Sequence, residues 1–295
     1  MIHYKNCPVC LSQSIAENFS AKDNTVSKEL FSIWKCNSCN AQFTQNIPDQ
    51  EQIGKYYQSD SYVSHSDTKR GLINTMYHHV RNFTLQQKRK LIEYTTLIRS
   101  GEILDIGCGT GAFLNSMKNA GWSVTGLEPD ETAKNKAMEL YNINPHQSSY
   151  LFQLKENTYD AITMWHVLEH VHQLDEYIHQ LKKILKEKGV IFIAVPNHTS
   201  YDAEYYKENW AAYDVPRHLY HFSPQSIEIL MKRHGLKLKS QKPMWFDSIY
   251  VSMLSEKIKN GNNNFISALI RGCISNLQTL FNRQKCSSLI YIITK

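Results

Sequence analysis

The chain has 295 residues, 42% of them hydrophobic, which is enough for one large domain or for one domain plus a small module. No run approaches the roughly 18 apolar residues of a membrane span, and Met1-Ile2-His3-Tyr4-Lys5-Asn6 is no apolar signal segment, so the expectation is a cytoplasmic protein. The net charge of +6 is modest but uneven: after Glu256 there is no acid, while Lys257, Lys259, Arg271, Arg283, Lys285 and Lys295 remain. The plain reading is a solvated basic face; the sharper ones are attraction to anionic lipid, nucleic acid or a phosphorylated substrate.

Four of the 7 cysteines form two C-x-x-C pairs, Cys7-Pro8-Val9-Cys10 and Cys36-Asn37-Ser38-Cys39. Four thiolates at this spacing suit tetrahedral zinc in a closed structural site. Each knuckle must bend after its second cysteine, and Asn40 tolerates such a bend. Phe31 to Cys36 alternates like a strand, so residues 1–45 read as a small zinc ribbon. A module of that size commonly needs such a staple to fold at all.

Residues 46–100 read as a helical linker or cap. Tyr56-Tyr57-Gln58-Ser59-Asp60-Ser61-Tyr62 suits either a segment lying over a ligand cleft or an ordinary helix-to-loop junction. Leu72 to Ile98 is predicted helical, with Met76, Tyr77, Val80 and Phe83 as one apolar series and Leu91, Ile92, Tyr94, Leu97 and Ile98 as the next.

Ile103 to Ile106 reads as a short buried strand, followed by the alternating glycines Gly107, Gly109 and Gly111. Ala112, Phe113, Leu114 and Met117 then restart the pattern at helical spacing. Strand, glycine loop and helix open a nucleotide-binding α/β unit, in which a cofactor lies directly on backbone N–H groups. NAD is one candidate, because Gly107-x-Gly109-x-x-Ala112 fits the dinucleotide spacing. Asp105 argues against it: a carboxylate at the strand end repels a pyrophosphate and welcomes an ammonium and a sulfonium, the charges of S-adenosylmethionine (SAM). Glu128 lies roughly 20 residues on, where the ribose-binding acid of such a fold belongs. Leu104-Asp105-Ile106-Gly107-Cys108-Gly109-Thr110-Gly111 together with Gly126-Leu127-Glu128-Pro129 resembles the class I SAM-dependent methyltransferases. The resemblance spans roughly residues 102–295 and implies a Rossmann-like sheet with flanking helices. It also implies a cofactor site at Asp105, Gly107, Gly109, Gly111, Glu128, Pro129 and His166.

Strands and helices alternate from there, predicting parallel pairing. Helices are expected at 132–141, 174–185 and 224–234, and strands at 159–164, 190–195, 236–239 and 288–293, with a short third strand starting at Ile143 and Gly189 ending a helix. Many relatives carry an acid after the third strand, near the adenine; here the stretch is His146-Gln147-Ser148-Ser149. Residues 247–283 form an inserted helical region, 246–259 and 265–282. Phe265, Ile266, Leu269, Ile270, Ile274, Leu277, Leu280 and Phe281 make a broad apolar stripe, read as a core or homodimer face, with peripheral membrane contact as the alternative.

Ligands of open α/β sheets bind beyond the C-terminal strand ends. One segment there is Trp165-His166-Val167-Leu168-Glu169-His170. H-x-x-E-H is also an inverted zinc-peptidase pattern, but its place after a nucleotide-fold strand disfavours that. The quinone O-methyltransferase branch, which this chain resembles, reads E-x-x-E-H and can hold a divalent metal; Glu169 and His170 match and His166 does not. The other segment holds Asp214, Arg217, His218 and His221 just before Ser223-Pro224, an N-cap with proline at the first helical position. These four are the candidate catalytic residues: His218 or His221 as proton acceptor, Asp214 to orient it, and Arg217 to hold Asp214 or a substrate anion. Asp-x-Pro-Arg-His-Leu is similar to a segment of SAM methyltransferases that carry N-terminal cysteine knuckles, a group linked to glycan or other small-molecule biosynthesis. The expectation is methyl transfer to a small-molecule acceptor, a sugar derivative or phenol. RNA methylation through the zinc module and basic tail is the first alternative, disfavoured because the ribbon lacks a dense Lys/Arg face. A non-enzymatic SAM- or partner-binding module is the second.

Overall fold

The structure, a computed structural model, describes residues 1–58, 72–261 and 264–295, with the backbone alone over 72–80. The chain divides into two compact units: residues 1–64, 166–175 and 194–292 form one, and 65–165, 176–193 and 293–295 the other. The cysteine-bearing segment groups with chain that follows residue 194.

In the first unit β1 (Ile15–Lys22), β2 (Leu30–Cys36) and β3 (Gln42–Thr44) form an antiparallel meander. The expected strand at Phe31 is β2; β1 escaped notice because its polar face hides the alternation. A helix, α1 (Leu72–Thr96), belongs to the second unit. There the glycine unit is built as expected: β4 (Glu102–Ile106), α2 (Ala112–Lys118), β5 (Ser123–Leu127) and α3 (Glu131–Tyr141). Next come β6 (Tyr159–Trp165), α4 (Leu174–Ile184) and β7 (Leu185–Pro196). The strand order in this unit is β5-β4-β6-β7, with β4 parallel to both neighbours. Ile103, Leu104, Ala161, Ile162 and Ile191 to Ile193 are fully buried, as an interior parallel strand requires.

Two boundaries differ from expectation. No strand starts at Ile143; the chain makes only a single parallel bridge, Leu127 with His146, before a 3₁₀ turn. Pro145 and the polar run after it leave too few apolar residues for a strand. Gly189 does not end a helix either: α4 stops at Ile184 and Gly189 lies inside β7, where a Cβ would come within 2.9 Å of the Tyr159 carbonyl oxygen.

The remaining elements belong to the first unit: α5 (Tyr201–Tyr206), β8 (Tyr220–His221), α6 (Pro224–Arg233), β9 (Lys237–Pro243), α7 (Asp247–Asn260), α8 (Phe265–Phe281) and most of β10 (Ser288–Thr294). Strand β8 pairs antiparallel with β3, completing the order β1-β2-β3-β8, and β10 neighbours β9. Ser223 caps α6 by accepting from the Ser226 N–H at 3.1 Å, and the Ser226 hydroxyl accepts in return from the Ser223 N–H.

The apolar stripe of the inserted helices is not buried within the chain, contrary to the core reading. Helix α8 buries Ala268, Gly272, Ser275 and Thr279 and leaves Phe265, Ile266, Leu269, Ile270, Leu277, Leu280 and Phe281 exposed. The reason is a pair of buried carboxylates that need donors. Asp202 accepts from the hydroxyls of Ser275 and Ser287 and from the Trp210 indole; Glu256 accepts from Ser267 and Tyr206. Gly272 completes the choice, since a Cβ there would lie 2.7 Å from Ile249 Cα.

Candidate functional site

The glycine loop is shaped by backbone conformation. Gly107, Gly109 and Gly111 all have positive φ, at 70°, 54° and 77°. A Cβ on Gly109 would meet nothing within 4 Å, so space lies open above that residue. Beneath the loop Asp105 is buried and its Oδ1 accepts from the Thr163 hydroxyl at 2.6 Å. Burial pushes its carboxyl up to about 7, against the hydrogen bond from Thr163 and the charge of Lys88; Glu128 adds to the rise. Glu128 is also buried, with its carboxyl raised by that burial, and accepts from the Gly109 N–H at 2.7 Å and the Asp130 N–H at 3.0 Å. Pro129 beside it is exposed. Two buried carboxylates flanking an open glycine backbone suit a cationic nucleoside far better than a pyrophosphate. Trp165 closes β6, packing edge-on against Phe113 with Lys88 Nζ 4.2 Å from the Trp165 ring centroid. Sequence reasoning passed over Phe113, Trp165 and Lys88 as site residues; an aromatic at the C-terminal end of a strand next to the loop was the available signal.

In the other unit, His166 has positive φ and stands between two acids, with Nε2 2.9 Å from Asp247 and Nδ1 3.5 Å from Glu169. Burial opposes its charge, but Asp247 and Glu169 outweigh that and raise the imidazole to about 10. His166 is therefore a cation at neutral pH and no proton acceptor. Burial raises the Glu169 carboxyl, yet His166, His218 and His170 bring it below its ordinary value, so it is a carboxylate.

His170 and His218 stack edge-on with ring centroids 4.6 Å apart. His218 Nδ1 lies 2.7 Å from the Ala212 carbonyl, and His170 Nδ1 lies 3.0 Å from the Arg217 carbonyl. A carbonyl only accepts, so each Nδ1 carries the proton and each neutral ring keeps its lone pair on Nε2. Burial, and then the neighbouring His218 imidazole, lower His170 to about 4. Tyr57 adds its hydroxyl 3.1 Å from His170 Nδ1; residues 59–62 of the expected aromatic segment lie outside the described residues. Glu169, His170 and His218 each offer a ligand atom within 4.8 Å of the others, a set that fits a divalent cation.

The other candidates in this segment are hydrogen-bonded within their own unit. Arg217 is fully buried and donates to both Asp214 oxygens, to Asp23 Oδ1 at 3.0 Å and to the Tyr56 carbonyl at 2.7 Å. Asp214 thus holds Arg217 rather than a histidine. His221 is buried with Nε2 3.1 Å from the Thr44 hydroxyl, and burial, with the charges of His218 and His198, depresses its pKa well below the ordinary value.

The four knuckle cysteines come together, each offering a sulfur within 4.8 Å of the others; Cys7 and Cys39 sulfurs are 3.6 Å apart and Cys10 and Cys36 sulfurs 3.5 Å. The knuckles repeat one geometry: the Leu11 N–H donates to the Cys7 carbonyl and the Asn40 N–H to the Cys36 carbonyl, with Leu11 and Asn40 both at positive φ. Edges of this length match a tetrahedron around one zinc, whose Zn–S bonds are about 2.3 Å.

Comparison with known proteins agrees with the cofactor loop. Residues 76–241, more than half of the chain, match the family model described as a methyltransferase domain. The chain belongs to that family. It is a class I SAM-dependent methyltransferase with a Rossmann-like α/β sheet. The methyltransferase is 26% identical over 188 residues to the ubiquinone biosynthesis O-methyltransferase of Pelagibacter ubique, covering 55% of this chain and 77% of that protein. It is 34% identical over 109 residues to the enzyme of the same name from Haemophilus ducreyi, covering 33% of this chain and 46% of that one. The match thus spans less than half of the second relative's length. Among solved structures, a putative sarcosine dimethylglycine methyltransferase from Galdieria sulphuraria aligns with a TM-score of 0.51 at 16% identity, over 75% of this chain and 87% of the other. The [4+2]-cyclase SpnF aligns with a TM-score of 0.50 at 14% identity, over 71% and 80%. At such identities these two share the fold alone, and the cyclase shows that the fold does not dictate the reaction.

Proposed function

We propose that this methyltransferase methylates an oxygen of a small-molecule acceptor, a phenol or sugar derivative, and releases S-adenosylhomocysteine. SAM is held by the glycine loop, with Glu128 on the ribose hydroxyls and Asp105 toward the cationic end. His218 takes the acceptor proton at Nε2. The observation that carries this is the hydrogen bond from His218 Nδ1 to the Ala212 carbonyl, which fixes the ring and leaves Nε2 as its basic atom. The O-methyl direction is supported by the printed names of the relatives. The four-cysteine cluster holds one structural zinc.

The test is turnover with a panel of phenols and sugar derivatives, read as S-adenosylhomocysteine release. His218→Ala should keep SAM affinity and lose about 10²–10⁴-fold in turnover, the usual worth of a positioned base. Full turnover would remove His218 from the mechanism, and loss of SAM affinity together with stability would make its role structural.

A second reading rests on Glu169, whose two oxygens are buried without a hydrogen-bond partner. A divalent ion on Glu169, His170 and His218 would satisfy them and lower the pKa of a bound phenol. Manganese binding lost in Glu169→Gln separates this reading from simple base catalysis.

A further inference from the structure

The α7–α8 hairpin is built inside out. On α8 the residues facing the protein are small or hydroxylic, and those facing away are large and apolar. Ile266 is 72% exposed, Leu277 55%, Leu280 68% and Phe281 85%. Ile266, Ile270, Cys273, Leu277 and Leu280 recur at helical spacing on one line, opposite Ala268, Gly272, Ser275 and Thr279. The stripe runs over 17 residues, about 25 Å at 1.5 Å per residue. Met253 and Leu254 of α7 are also exposed. Such a surface is costly to leave in water, and it exceeds the scattered exposed side chains of an ordinary helix.

Charge around the stripe has one sign. Lys257 and Lys259 stand at the end of α7, Arg271 within α8 and Arg283 just beyond it. Lys259 and Arg271 both pack against the Tyr205 ring, and Lys285 is paired with Glu204. The two acids of the hairpin are engaged inward: Asp247 pairs with His166, and Glu256 is buried under Tyr206, Ser267 and Asn260. Among the described residues no carboxylate of α7 or α8 is left facing outward to complement the cations.

We propose that this hairpin lies flat on an anionic lipid surface, with Ile266, Ile270, Leu277, Leu280 and Phe281 entering the acyl boundary and Lys257 and Arg283 against the headgroups. An apolar stripe with cations at both ends is the pattern of an interfacial helix. No helix among the described residues is long and apolar enough to cross a membrane, so the contact is with the surface. Charge argues against a second copy as the occupant. An isologous contact of antiparallel hairpins would bring Lys257 and Lys259 of one copy toward Arg283 of the other, with no acid between them.

The test is co-sedimentation of the purified full chain with phosphatidylcholine vesicles, with or without phosphatidylglycerol. Binding is expected with phosphatidylglycerol and should weaken as salt rises. Ile270→Glu combined with Leu277→Glu should lower it by about 10–100-fold, and Lys257→Glu combined with Arg283→Glu by about tenfold. Unchanged SAM affinity and unfolding midpoint in these variants would confirm that the surface alone was altered. Failure to bind phosphatidylglycerol vesicles would overturn the proposal. So would a dimer in sedimentation velocity that the Ile270/Leu277 pair dissolves, because the face would then belong to a second copy.

Discussion

Between Asp105 and Glu128, three glycine conformations and two buried carboxylates shape the cofactor loop, and Asp105 and the three glycines fall within one short run, residues 105–111. Between His166 and His221 an equal density of polar groups is divided between the fold and the chemistry. Arg217 and His221 spend their hydrogen bonds on Asp23, Tyr56 and Thr44, far away in sequence, and Asp214 is held by Arg217, while the Glu169 carboxylate oxygens make no hydrogen bond. A backbone-built site announces itself in a short stretch. A side-chain site does not, because long-range partners decide which groups are consumed.

The largest effect that would sharpen this contrast lies in the cysteine cluster, which supports the strands on which Arg217 and His221 depend. Metal analysis should find one zinc per chain, and Cys36→Ser should unfold the module, since structural zinc contributes on the order of 10 kcal/mol to such folds. Residues 1–45 remaining protected from proteolysis without metal would break the link between zinc and the strand pairing of β3 with β8.

Arg217→Ala comes next. It strips the counter-ion from Asp23, which is wholly buried, and from Asp214. Burial disfavours the Asp23 charge, but the N–H groups of residues 25–27 and Arg217 hold its carboxyl down at about 2. Leaving such a carboxylate unpaired should cost about 3–5 kcal/mol of stability. A shifted urea midpoint with unchanged SAM affinity is the expected result. Lost turnover at unchanged stability would instead put Arg217 on the substrate, and the contrast would fail.

The same division explains what was legible beforehand. Most strands and helices from Glu102 onward follow from hydrophobic period, though not the strand expected at Ile143, and the glycine loop follows from φ > 0 at alternate positions. The gathering of the four cysteines follows from their spacing. The pairing of β3 with β8 does not, because two residues of strand at Tyr220–His221 carry no period. Nor does the orientation of α8: its apolar stripe marks a core face by every local rule, and only the buried carboxylates of Asp202 and Glu256, supplied by other helices, turn Ser275 and Ser267 inward instead. In the sequence, only adjacency to Arg217 favours His218 over His221 as proton acceptor. The structure distinguishes them on a different ground, the carbonyl of Ala212 against the hydroxyl of Thr44.

Within the glycine loop, Glu128→Ala should weaken SAM binding by about 1.5–3 kcal/mol, because the ribose hydroxyls lose a charged acceptor. Calorimetry gives the affinity directly. Undiminished binding would mean that Glu128 serves only the N–H groups of Gly109 and Asp130, making it as structural as Arg217.

The last effect is the pH dependence of Asp105. Its carboxyl is raised from an ordinary 3.8 to about 7, so the folded chain binds that proton more tightly than the unfolded chain does. The resulting stabilisation is complete below about pH 4 and is lost as pH rises through 7. SAM reverses the preference, because a cationic ligand favours the carboxylate over the acid. Its affinity should therefore rise about tenfold per pH unit up to pH 7 and level off above, with a proton released on binding near neutrality. Titrations in two buffers of different ionisation enthalpy would count that proton. Lys88 lowers the Asp105 carboxyl, so Lys88→Met should move the levelling point to higher pH. An affinity flat from pH 5 to 8 would mean that Asp105 is already ionised in the absence of cofactor. The loop would then hold a ready-made anion, as Glu169 is in the other unit, and the two regions would differ in backbone alone.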